Sequence, residues 1–396
     1  MSQPLAGFRI ADFSHVIAGP LATHFLRLLG AEVIKVEPPS GDVLRNYTQR
    51  RELRGMSEPF IGANAGKKSI VLDLKSDFGR KAARRLIATS DVMVENFRPG
   101  VISRLGLGED VVRQDNPSLI FCSVSGFGQS GPMRDYPAID QIIQSVSGVM
   151  SLSGEENAPP MRVGFPIVDT YSALLAAFAI QSAIIQRERD PERRGQYIDM
   201  SMLDASLVMM ASVVNPLMIS GTEPRRTGNR GFSLAPTADT FATRDLPITI
   251  GAVQQNQFER LCQAIGRPDL AADPRFADPD TRMEHDAQLQ AELQDTFRTR
   301  SAAEWEVILS DAGVPAGAVR SVSDAMQLDQ LRGRELQMDV PVPNASVPYA
   351  SILNAGFLFA HDGPGTSEPP PTLGQHTDEI LAELGLSHED AGSTAG

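Results

Sequence analysis

An aspartate stands beside the longest apolar stretch of the chain. From Val163 to Gln186 the sequence reads VGFPIVDTYSALLAAFAIQSAIIQ. Asp169 and Thr170 separate an apolar approach (Phe165, Ile167, Val168) from a run over 173–185 rich in Ala, Leu and Ile, with no Gly or Pro inside it. Such a run predicts a mostly buried helix, and Asp169 then falls at or next to its N-cap. There a carboxylate accepts orphan backbone N–H bonds and faces the positive end of the helix dipole. Two roles fit the position: a structural cap, typically worth about 1 kcal/mol, or a carboxylate nucleophile held ionised in an apolar wall. The local sequence does not choose between them.

Cationic side chains that could hold an anionic ligand gather early: Lys67, Lys68, Lys75, Arg80, Arg84, Arg85, Arg98 and Arg104. The Arg80–Arg85 group reads as a solvated helix face. Arg98 and Arg104 follow a Pro/Gly-marked loop and suit a ligand better. The SGFGQSGP loop (125–132) resembles a phosphate-binding glycine loop but lacks the GxGxxG spacing and a following Lys-Ser/Thr, so it reads as a tight active-site loop.

The elements that must position these residues alternate. FRIADF (8–13) predicts a strand, Pro20 to Leu29 a helix closed by Gly30, and EVIKVE (32–37) a strand with alternating polarity. Strands over 69–74, 91–95 and 118–124, a helix over 77–89 and a strand over 196–200 continue the pattern. Alternation of this kind implies an open, doubly wound α/β sheet, whose ligands bind at the carboxyl ends of its strands. The loops starting at Ser14, Pro38, Asn96 and Ser125 all lie there. Composition shifts after residue 220. We read 1–220 as a large α/β domain, 225–325 as a smaller α+β domain, 326–386 as a C-terminal segment returning to the first, and 387–396 as a disordered tail.

With 396 residues the chain is long enough for two domains. A net charge of −13 argues against nucleic acid or anionic lipid as its main partner. Cys122 and Cys262 form no disulfide framework and match no zinc spacing, so they give no sign of a metal site. The first residues lack a basic segment followed by an apolar one, and no apolar run reaches the roughly 18–20 residues of a membrane span. The reading is a cytoplasmic protein.

Six segments in order carry a family resemblance: ADFSHVIAGPLATHFLRLLGAEVIKVEPPSGD (11–42), IVLDLK (70–75), ENFRPGV (95–101), SVSGFGQSGP (123–132), GFPIVDTYSA (164–173) and RTGNR (226–230). Together they resemble the family III CoA-transferases, the group of the formyl-CoA:oxalate and carnitine CoA-transferases, over nearly the whole chain. The resemblance implies a Rossmann-like large domain, a small domain, and two chains interlocked as a homodimer. It implies coenzyme A as the carrier, with an acyl-CoA and a small carboxylic acid as substrates. It matches the family nucleophile to Asp169, which would pass through an aspartyl anhydride and an aspartyl-CoA thioester. Arg98 and Arg104 would then meet the CoA phosphates with Lys75 nearby, and Leu72, Asn96 and Phe97 would line the adenine and ribose. His15 and Val16 would lie near the pantetheine and thioester, where backbone N–H groups steady an oxyanion. Gly126 and Gln129 would complete substrate binding. At a reference pKa of about 3.9 an aspartate is almost wholly ionised at neutral pH unless burial raises it strongly.

The chain departs from the formyl-CoA:oxalate pattern at Ile17, where that group carries Gln. It departs again at Pro38, where that group carries Arg, and at Gly251, the remnant of a glycine run. These departures count against oxalate as acceptor. The related α-methylacyl-CoA racemases carry Gly-His-Asp where this chain has Ala138-Ile139-Asp140, and Ile139 cannot move a proton. A catalytically silent acyl-CoA binder is the remaining alternative, and it needs no ionised carboxylate at position 169.

Overall fold

The computed structural model of the chain describes residues 2–345 and 347–387. The tail assigned to 387–396 lies, from residue 388 on, outside the described residues. One compact unit comprises the chain up to Val149, Arg162–Thr222 and the chain from Arg332 on; a second comprises Met150–Met161 and Glu223–Leu331. Residues 150–161 thus depart from the sequence reading, which kept them in the large domain. Their sequence offers few apolar side chains to a sheet, and Arg226 Nη1 ties Ala158 O into the second unit at 2.5 Å.

In the first unit, β1 (Arg9–Asp12), β2 (Glu32–Glu37), β3 (Lys68–Val71), β4 (Val92–Glu95), β5 (Ile120–Ser125) and β6 (Tyr197–Ser201) pair in parallel in the order β3-β2-β1-β4-β5-β6. β4 and β5 are buried at every position, as expected of a parallel sheet covered on both faces. On one face α1 (Ala18–Leu28) and the helix Ile167–Arg189 pack through small residues. Ala173, Ala176, Ala177 and Ile180 meet Ala18, Ala22 and Leu26 over Ile10, Val92 and Ile120. On the other face Leu86 and Ile87 of α2 (Asp77–Ala88) and Ile380 and Leu381 of Thr377–Glu383 cover Ile34, Ile70 and Phe121. The last helix is fastened to the β3 edge by His376 N–H donating to Ser69 O at 2.9 Å and by a Lys68–Glu379 pair at 2.8 Å.

After α3 (Val101–Arg104) and α4 (Asp140–Val146), the helix Ile167–Arg189 is α5. It is 23 residues long and contains an 18-residue window of mean hydropathy 1.5, so one helix does meet the length and composition of a membrane span, contrary to the sequence reading. Asp169, Thr170 and the two glutamines interrupt the apolar run by eye, whereas the average absorbs them. Nine of its residues are buried in the core of the unit, and a core helix passes the same test. The next helical stretch is bent by 83° between α6 (Met202–Met209) and α7 (Ala211–Ser220).

The second unit is α+β. β7 (Thr240–Phe241), β8 (Ile248–Ile250) and β9 (Ala316–Ala318) form an antiparallel sheet, packed through Phe241, Phe258, Leu293, Phe297 and Trp305. Trp305 Nε1 donates to Phe297 O at 2.8 Å, which satisfies its buried indole. Two further helices, Pro279–Glu284 and Asp286–Phe297, meet at His285.

Candidate active site

The β1–α1 loop is set by charges that the sequence hides. Lys35 and Glu37 look solvent-facing in the alternating EVIKVE strand, yet both are fully buried. Lys35 Nζ lies 2.9 Å from Asp42 Oδ2 and donates to Ser14 O at 2.9 Å. Lys67 Nζ donates to Asp12 Oδ2, Thr23 Oγ1 and Pro20 O within 2.9 Å. Glu37 receives Arg45 Nε at 2.7 Å and Arg45 Nη2 at 2.6 Å. Burial alone would push Asp12 up, but Lys67, Lys35 and hydroxyl donors outweigh it and hold it at about 2. Asp42 is likewise held well below its usual range, burial being outweighed by the His15 imidazole and Lys35 beside it. Gly19 is required here by close approach: a Cβ on it would stand 2.2 Å from Ser14 Cβ.

This scaffold forces Val16 to φ 68, a conformation that costs a β-branched residue on the order of 1–3 kcal/mol. Its N–H donates to the Asp42 carboxylate at 3.2 and 3.3 Å. Asn96 clamps His15 through both backbone groups, each at 2.8 Å, and the His15 ring meets Phe97 edge-on at 5.5 Å. At 3.8 Å the His15–Asp42 contact is electrostatic and not a hydrogen bond. The expectation that His15 and Val16 N–H groups face an oxyanion is therefore corrected, because both are already engaged. Ile17 and Ala18, at the amino end of α1, carry no backbone N–H bond among the described residues.

A cleft of about 680 Å³ opens at the carboxyl ends of β1, β4 and β5, within the range of ligand pockets. Among the expected site residues it collects Val16, Asn96, Phe97, Arg98, Gly126 and Asp169. Gly126 fits only without a side chain, since a Cβ would come 2.2 Å from Ala138 Cβ. Others fall outside. Leu72 is 3% exposed and packs in the core under α2, so its side chain does not line an adenine site. Lys75 is exposed in a turn where its N–H bonds Asp73. Gln129 is tied by its N–H to Asp199 at 2.9 Å. Arg104 lies against Gly100, its Nη1 3.1 Å from the place of a Cβ there, with Arg134 Nη2 at 3.9 Å. A larger hollow of about 950 Å³, around Gln186, Arg189 and Gly195, lies at the amino ends of β5 and β6 and holds none of the expected residues.

Asp169 itself departs from the capping role. It is the third residue of α5, after Pro166 at the cap position. Asp140 does the capping instead, its Oδ2 accepting from Val168 N–H at 2.8 Å and Asp169 N–H at 3.1 Å. Gln144 Nε2 steadies Asp140 Oδ1 at 2.6 Å. The Asp169 carboxylate is left half-buried with no hydrogen bond among the described residues. Burial first, then the like charge of Asp140, push it up to about 7. The proviso attached to its ionisation applies: burial raises the group well above an ordinary aspartate. Sequence reading missed Asp140, Arg134, Tyr136 and Arg162, which also line the cleft. The only signal for Asp140 was its place near a helix start. Ile139, 65% exposed at the cleft, holds the place where a racemase needs an imidazole. No group of three or more His, Cys, Asp or Glu side chains suited to a metal occurs among the described residues.

The parallel α/β unit thus carries a half-buried carboxylate, Asp169, in the cleft at its strand ends. The family model of CoA-transferase family III matches residues 5–377, and the chain belongs to that family. It is an enzyme, a family III CoA-transferase, acting on CoA thioesters and carboxylic acids. It is 37% identical over 364 residues to the acetyl-CoA:oxalate CoA-transferase of Acetobacter aceti, covering 91% of this chain and 92% of that one. It is 33% identical over 392 residues to the succinate–glutarate CoA-transferase of Agrobacterium fabrum, covering 96% of each. A solved CAIB/BAIF family protein from Brucella suis superposes with a TM-score of 0.86 at 32% identity, covering 97% of this chain and all of that one.

Proposed function

We propose that the enzyme moves CoA from an acyl-CoA donor to a small mono- or dicarboxylic acid through covalent intermediates on Asp169. An Asp169 oxygen attacks the thioester carbonyl; the C–S bond breaks, CoA thiolate leaves and an aspartyl anhydride forms. The thiolate attacks the aspartyl carbonyl, releasing the donor acid and leaving an aspartyl-CoA thioester. The acceptor carboxylate displaces the thiolate from it, forming a second anhydride. Thiolate attack on the acceptor carbonyl then releases the new acyl-CoA and free Asp169.

The observation that carries this reading is the Asp169 carboxylate, open to the cleft, without a hydrogen bond and raised to about 7. A raised value makes it more basic, and hence more nucleophilic, than an ordinary aspartate while leaving about half of it ionised at neutral pH. The N–H groups of Ile17 and Ala18, at the cleft wall and unbonded among the described residues, are the donors we assign to the carbonyl oxygen, and Arg98, Arg104 and Arg134 the cations we assign to the phosphates. Dicarboxylic acceptors are supported by the names of relatives that act on oxalate, succinate and glutarate. The oxalate enzyme's 37% identity weighs against excluding oxalate on Ile17 and Pro38 alone.

The large unit's strand order supports a Rossmann-like assignment. Homodimer formation is supported by apolar side chains left exposed on α5 to α7: Leu174, Phe178, Ile185, Val208, Met218 and Ile219. The test is to incubate the protein with an acyl-CoA, add hydroxylamine and map the product by mass spectrometry. A hydroxamate at Asp169, together with new CoA esters from a panel of free acids, is the expected result; its absence at Asp169 during turnover overturns the reading.

A further inference from the structure

Arg162 is a cleft-lining cation with no ion pair among the described residues. Arg104 and Arg134 gather around Gly100, at the loop after β4, and Arg134 also approaches Asp135. Arg162 also lines the cleft, on the segment that leads into α5 and Asp169. The segment it starts is pinned through its neighbour: Val163 N–H donates to Gln144 Oε1 at 2.9 Å. Gln144 Nε2 donates to Asp140 Oδ1, and Asp140 Oδ2 receives the Asp169 N–H. A chain of three hydrogen bonds therefore fixes the backbone beside Arg162 relative to the backbone of Asp169. Of the guanidinium's donors, one is given to Val163 O at 2.9 Å; the side chain is otherwise exposed to the cleft.

Asp140 and Asp169 make this end of the cleft anionic, so an incoming acid needs a compensating cation. An arginine on the reacting carboxylate would occupy the lone pairs that must attack, and would lose its partner as the anhydride forms. On a second, non-reacting carboxylate the same contact persists unchanged through the reaction and contributes uniform binding. We infer that Arg162 holds the distal carboxylate of a dicarboxylic acyl group beside Asp169, and so selects diacids over monoacids of the same length. This rests on Asp169 as the acyl-accepting residue. Donor and acceptor acyl groups occupy the space in turn, so both are subject to the same selection.

The test uses the full-length protein with one acyl-CoA donor and paired acceptors, succinate against butyrate and glutarate against valerate. Arg162→Met should lower kcat/KM for the diacids by about 10- to 100-fold, the scale of a lost charge-assisted pair, mainly through KM. The monoacids should stay within about twofold, and Arg162→Lys should recover part of the diacid preference. An equal fall for both classes, an unchanged diacid value, or a wild-type enzyme that ignores diacids overturns the assignment while leaving Asp169 chemistry intact. Failure of Asp169 to become acylated with any donor would instead overturn the underlying reading. A melting curve of each variant separates altered selection from misfolding.

Discussion

Asp12 and Asp42 lie beneath the β1–α1 loop with Lys67 and Lys35 each 2.9 Å away, whereas Asp140 caps the start of α5 beside Asp169 and neither pairs with a cation among the described residues. Both sets belong to one unit; the first is fully buried and the second half-buried at the cleft. Burial pushes every carboxylate up; the sign of the outcome is decided by what stands next to it. Paired lysines drive Asp12 down to about 2 and make it inert scaffold. Burial, reinforced by the like charge of a second carboxylate, raises Asp169 to about 7, and its oxygens have no hydrogen bond among the described residues. Reactivity at this site is thus a matter of withheld partners, while the buried charges around the neighbouring loop are each paired.

The comparison breaks most sharply at Asp169. Asp169→Ala should reduce transfer by at least about 10⁴-fold, as loss of a covalent nucleophile does, while CoA binding measured by calorimetry persists; substantial residual turnover would remove the distinction between the two sets. Next comes the scaffold. Lys67→Met leaves Asp12 buried without its closest cation and should destabilise the unit by about 3–5 kcal/mol in urea unfolding. A neutral result would mean the pair is replaceable. The wild-type contribution of Asp12 is complete above its ordinary range and lost as pH falls through about 2, so the variant should also lose the acid resistance of the parent.

Smaller effects sharpen the picture. The kcat/KM for acyl-CoA should rise with pH along a limb centred near 7, because only ionised Asp169 attacks. In Asp140→Asn the limb should move to lower pH, since the amide oxygen still caps Val168 and Asp169 while the like charge is gone. An unmoved limb would assign the shift to burial alone. Smallest of all is stability at the nucleophile. Its protonated form is favoured by the fold, so its contribution is present below the ordinary carboxyl range and lost as pH rises through about 7. Asp169→Asn should therefore melt higher than the parent at pH 8, with the gap closing toward pH 5.

The sheet and its flanking helices were legible because apolar periodicity is a local signal: EVIKVE and the Ala-rich run announce their elements without help from distant residues. What stayed hidden depends on pairs far apart in the chain. Lys35 reads as solvent-facing until Asp42 and Ser14 O are seen around it, and Leu72 reads as a pocket residue until α2 covers it. Asp169 was found, but its cap role was misplaced because the true cap, Asp140, comes 29 residues earlier. Arg162 carried no signal of its own; only the fold brings it to the cleft.

One consequence follows from the Asp140–Asp169 pairing. Under the proposed chemistry, converting the side chain of Asp169 to an anhydride or thioester removes its charge, and with it the mutual repulsion carried by the resting site. The empty enzyme is the electrostatically stressed form and the loaded one is relaxed. The high-energy acyl bond is thereby partly offset at the moment it is transferred to the protein, and the stress returns only when the finished acyl-CoA is expelled.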